Sequence, residues 1–234
     1  MHDPRPGPAP RDVASAAILT LPFAIYLLAL AAVAPPTELN WRAADPILTM
    51  LARGTTLWMT PAMSLAAATF WWRQAKPGAD DLRAGVRDAA IGAASAAAMV
   101  LTLRLLFGPA LPWFIPPEES SAPGFLLSMT AGLLEEVSCR LGVMPALYFA
   151  LRGRLSENVR ALVAVASTGV FFAAWHAAGD SGFSATFFAT RFLVPGCAMS
   201  AVWLWSPSAV VTGHCTAHLL IPALFVMPRS VASA

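Results

Sequence analysis

The chain has 234 residues, 57% of them hydrophobic and 12% charged, with a mean hydropathy of +0.63 and a formal net charge of +2. Soluble domains use roughly 25% charged residues, so the bilayer is this chain's main solvent and no sizeable soluble domain fits beside the apolar segments. So small a charge, scattered over short loops, excludes a nucleic-acid-binding surface, and three cysteines (Cys139, Cys197 and Cys215) without CxxC spacing exclude a disulfide framework.

Residues 1–13 are rich in proline and polar groups and read as a cytoplasmic tail. The apolar run from Ala14 to Ala34 lacks a cleavage site and reads as a retained span. Further apolar windows at 47–72, 88–107, 124–150, 159–178, 184–205 and 208–228 predict an all-α, polytopic transmembrane helical bundle of about seven spans. Pro61 and Arg53 in the second window predict a kink or two shorter pieces. The small-residue run Ala89–Met99 predicts a close helix–helix approach.

Basic residues cluster after the second window (Arg73, Lys76, Arg83, Arg87) and after the fourth (Arg152, Arg154, Arg160), whereas residues 108–124 have none and carry Glu118 and Glu119. The positive-inside rule then puts the N-terminus, with Arg5 and Arg11, in the cytoplasm, and an odd span count puts Arg229 outside. Trp41, Trp71, Trp72, Trp113, Trp203 and Trp205 fall near window ends, which predicts headgroup anchors.

The chemistry gathers in the C-terminal half. Glu135, Glu136 and Arg140 share one otherwise apolar window. Each costs roughly 2.5–3.5 kcal/mol at a helix centre if it faces lipid, so all three must face protein or water. On an α-helix Glu136 and Arg140 lie about 40° apart and pair, while Glu135 projects about 100° away and is free to address a neighbouring helix or a water. His176 stands near the end of the fifth window, and His214 and His218 share a face of the last one. A carboxylate and imidazoles converging in an apolar medium suit deprotonation of water and stabilisation of an oxyanion, the needs of amide hydrolysis.

Three motifs occur in order: EExxxR from Glu135 to Arg140, FxxxH from Phe172 to His176, and an HxxxN-like motif from His214. Together they resemble the CPBP (CAAX protease and bacteriocin-processing, or Abi) family of glutamic intramembrane endopeptidases, related to the CAAX prenyl endopeptidase, which usually has Asn or Asp where this chain has His218. The resemblance implies that Glu135 activates water with help from His176. It further implies that Glu136 and Arg140 orient the site, that His214 supports the oxyanion, and that His218 assists. Phe172 reads as packing.

The domain reading is then a tail at 1–13, N-terminal transmembrane helices at 14–123, a catalytic core at 124–228 and a tail at 229–234. The resemblance implies no cofactor, a membrane-associated protein or peptide substrate, and residence in a bacterial inner membrane. Three rivals stand beside it. Zinc held by His176, His214, His218 and Glu135 also suits hydrolysis; intramembrane Glu, Arg and His also build proton relays in proteins that catalyse nothing; and Cys139 and Cys215 offer thiols near the same groups.

Overall fold

The computed structural model of the protein describes residues 7–33, 55–107, 122–177 and 196–225, and these are almost wholly helical. The helices are α1 (Pro10–Leu19), α2 (Leu21–Val33), α3 (Thr55–Ala75), α4 (Ala79–Phe107), α5 (Ala122–Glu135), α6 (Met144–Ala150), α7 (Glu157–Ala177), α8 (Met199–Trp205) and α9 (Pro207–Phe225). Between α5 and α6 the helix continues without interruption as a π-helical stretch, Glu136–Val143.

Local chemistry sets the ends. The backbone N–H of Ala9 donates to the Asp12 carboxylate at 2.7 Å, and Pro10 opens α1 at a position whose N–H would have no helical partner. The first apolar window thus begins earlier than its composition suggests and is broken at Thr20. Pro22 has no N–H for the Ile18 carbonyl, and the Thr20 hydroxyl closes the turn on the Ala17 carbonyl at 2.7 Å. Helix α3 passes through Pro61 as one element from Thr55, in place of the two pieces its sequence allows. Helix α4 begins at Ala79, and its charged first turns project past the apolar stretch.

Packing is closest where side chains are smallest. Gly92 of α4 lies against the backbone of Ala209 on α9, and a Cβ there would collide with the Ala209 carbonyl. One on Gly213 would stand 3.0 Å from the Gly92 carbonyl oxygen. The small-residue run therefore does what its composition predicts, letting α4 and α9 touch main chain to main chain. Val13, Ala14, Ala16 and Ala17 bury α1 among α3, α4 and α9.

The outside is apolar: Leu105 is 84% exposed, Leu106 71%, Leu162 68% and Ile25 67%. Water would penalise that surface, and lipid does not. Among the described residues, three helical stretches are long and apolar enough to cross a membrane: Pro10–Leu30, where α1 and α2 run on across the break at Thr20, Ala79–Leu106 and Glu157–Ala174. Arg5, Arg53, Glu118, Glu119, Arg229, Trp41 and Trp113 lie outside the described residues.

Two of the expected anchors are not at the surface. Trp72 and Trp205 are exposed as anchors would be, but Trp71 and Trp203 are buried. Trp203 packs edge-on against Tyr148, with ring centroids 6.1 Å apart. Trp71 has a backbone partner at the candidate site.

Candidate active site

The π-helical stretch has its cause in one residue. Proline at 145 cannot donate to the Leu141 carbonyl four positions earlier, and its ring crowds that carbonyl, so the helix widens. The N–H of Met144 then bonds back five residues, to the Cys139 carbonyl. The Leu141 carbonyl that Pro145 cannot serve is taken by the indole N–H of Trp71 on α3, at 2.9 Å and buried. A tryptophan that reads as a headgroup anchor is thus the donor that completes the irregular turn.

Within this turn Glu136 and Arg140 are fully buried, with Oε1 3.2 Å from Nη1. A buried ion pair is held in place only when further polar partners share its desolvation. His214 of α9 supplies one, its Nδ1 lying 2.7 Å from the same Oε1. Arg140 has another neighbour in Phe172, whose ring centroid is 4.8 Å from the guanidinium carbon. Phe172 is therefore more than packing, because a desolvated cation over an aromatic face gains roughly 2 kcal/mol.

A carboxylate paired with arginine offers only acceptors, so the short contact puts a ring proton of His214 on Nδ1 and turns Nε2 away from Glu136. Glu135 stands on that side, Oε2 3.7 Å from Nε2. The imidazole thus lies between the two adjacent carboxylates, one at each nitrogen. Sequence spacing leaves Glu135 free to address a neighbouring helix, and the helix it addresses is α9.

His218, one turn after His214, lies edge-on to it with ring centroids 4.7 Å apart. The Ser128 hydroxyl donates to the His218 carbonyl at 2.9 Å and sits 3.2 Å from Nδ1, so its oxygen accepts the ring proton there. Gly132 makes the approach possible: a Cβ on it would lie 2.6 Å from the His218 ring. Ligand atoms of Glu135, His214 and His218 all fall within 4.8 Å of one another. One carboxylate and two imidazoles within reach of a single ion form a set that fits a divalent metal.

The structure therefore brings together Glu135, Glu136, Arg140, His214 and His218. The backbone of His176 lies in the last turn of α7, one turn beyond Phe172, and its side chain lies outside the described residues. Cys139 and Cys215 are buried, as inert packing thiols are, and Cys197 is half-buried. Sequence reasoning missed Ser128, Gly132, Trp71 and Pro145. The one readable signal was Pro145, four residues after Leu141 in a window too apolar to end there.

Among known families, residues 117–223 match the one described as type II CAAX prenyl endopeptidase Rce1-like. No curated protein and no solved structure matches the chain.

Proposed function

Residues 117–223 form a domain of the type II CAAX prenyl endopeptidase Rce1-like family, a family of peptidases, and from that premise we propose that the protein is an intramembrane endopeptidase with a glutamate-activated water. The observation that carries the reading is the placement of His214 between Glu135 and Glu136. Glu135 takes a proton from the water that attacks the peptide carbonyl and passes it to Nε2 of His214, 3.7 Å away. The resulting imidazolium, balanced by Glu136, donates to the oxyanion or the leaving amine.

This refines the role implied by resemblance, since His214 with its proton on Nδ1 donates from Nε2 only after gaining a second one. Glu136 and Arg140 hold the imidazole, His218 offers a second nitrogen, and His176 assists Glu135. The substrate is a membrane-anchored protein or peptide precursor. The protein resides in a bacterial inner membrane with its N-terminus cytoplasmic, an orientation supported by Arg73, Lys76, Arg83 and Arg87 around the α3–α4 junction and Arg152, Arg154 and Arg160 around the α6–α7 junction.

The test compares membrane and secreted proteomes of a deletion strain complemented with wild type, Glu135→Ala, His176→Ala or His214→Ala. Each variant should accumulate with normal abundance while uncleaved precursors persist. Wild-type processing by all three would sink the reading.

The convergence of Glu135, His214 and His218 supports a second reading, a zinc-dependent hydrolase. Bound zinc would supply Lewis-acid activation of the water, with those three residues as ligands and Glu136 and Ser128 fixing the two rings. Purified protein with near-stoichiometric zinc, and activity lost in a strong chelator and restored by zinc, would favour it. Full activity in the chelator would reject it.

A further inference from the structure

Between α3 and α6, against Val137, Leu141 and Gly142 of the π-helical stretch, lies an apolar groove of about 670 Å³. Its walls include Ala67, Phe70 and Trp71 on one side and Leu141, Ala146 and Phe149 on the other, and none of the five gathered site residues lines it. Gln74 and Arg152 stand at its mouth, where α3 and α6 both end. Along α3 the groove's lining runs from Ala66 to Gln74, about 12 Å at 1.5 Å per residue. That lies within half of a hydrocarbon core of roughly 30 Å, the depth of one leaflet.

The charge at this end selects the occupant. Arg11, Arg83, Arg87 and Arg160 are ion-paired with Asp81, Asp80, Asp88 and Glu157. Arg73, Lys76, Arg152 and Arg154 have no acidic partner among the described residues. A one-leaflet slot with unneutralised arginine at its interfacial mouth complements a chain carrying a negative headgroup. Basic clefts between membrane helices bind anionic lipids for this reason.

We propose that the groove is a binding site for one acyl chain of an anionic phospholipid, its phosphate held at Arg152. The lipid lies against Trp71 and so backs the wall that carries the π-helical turn. The proposal is independent of the hydrolytic reading and of metal content.

The test uses the full chain in nanodiscs of equal parts phosphatidylglycerol and phosphatidylcholine, extracted mildly, with retained lipid quantified by mass spectrometry. Wild type should keep about one phosphatidylglycerol per chain. Arg152→Gln should lower its preference over phosphatidylcholine about fivefold, the value of roughly 1 kcal/mol per basic residue near the surface. Ala67→Trp or Ala146→Trp should fill the groove and expel the lipid, while Leu105→Trp, on the lipid-facing surface, should keep it.

If the groove-filling variants misfold, phosphatidylglycerol brominated on its acyl chain gives an independent measure. It should quench wild-type tryptophan fluorescence more than that of Trp71→Phe. Three results would overturn the site: equal retention of both lipids by wild type, an unchanged preference in Arg152→Gln, or equal bromolipid quenching of wild type and Trp71→Phe. Loss of precursor processing in Ala67→Trp with no change in bound phospholipid would instead assign the groove to the substrate.

Discussion

The ring of Phe172 carries the guanidinium of Arg140, 4.8 Å from ring centroid to Cζ, and so ties the first residue of FxxxH to the last of EExxxR across two helices. Phe172→Leu preserves an apolar side chain and removes the aromatic face. It should lower stability by about 1–2 kcal/mol in detergent unfolding, and Phe172→Tyr should retain most of it. Equal stability of Leu and Phe at this position would show that the ring contributes only volume.

Glu136 neutralises a fully buried arginine. Removing one partner of such a pair leaves an uncompensated charge, so Glu136→Gln should cost about 3–5 kcal/mol. The double variant Glu136→Gln, Arg140→Met should be more stable than Glu136→Gln alone, although neither processes substrate. Unfolding in a common detergent measures both, and additive losses would contradict the coupling.

Gly132 is a space-making residue for His218. Gly132→Ala should destabilise by on the order of 1–3 kcal/mol because the ring must move. Adding His218→Ala to Gly132→Ala should recover most of that loss. A Gly132→Ala protein as stable as wild type would mean that the ring reseats freely.

Trp71→Phe keeps an aromatic ring and withdraws the donor from the Leu141 carbonyl. A buried acceptor left unsatisfied costs roughly 1–3 kcal/mol. Pro145→Ala in the same background restores an N–H four residues from Leu141, so stability should return. Precursor processing should not return with it, because an ordinary α-turn rotates Glu135 and Glu136 relative to helix α6.

The sequence made legible the ingredients of the site but not their connections. Three ionisable residues in one apolar window announce themselves because lipid penalises them, and His214 and His218 at a spacing of four share a helix face on arithmetic alone. Which carboxylate meets which imidazole depends on how α9 lies against α5 and α4, and those approaches are allowed by Gly132 on α5 and by Gly92 and Gly213 between α4 and α9, residues whose contribution is an absence of side chain. Trp71 shows a different limit. Position near a window end suggested the headgroup region, but the demand of an orphaned carbonyl inside the bundle decided its place.

The contact of Gly92 with Ala209 and Gly213 has a mechanical meaning. Where two helices meet through side chains, the layer between them can shear as rotamers change; where main chain rests on main chain, no such layer exists. Helices α4 and α9 therefore move as one body, and His214 travels with α4 or not at all. Any opening that admits a polypeptide to the imidazole has to come from helices that approach α9 through larger side chains, which makes the paired helices the fixed jaw and the other side of the bundle the moving one.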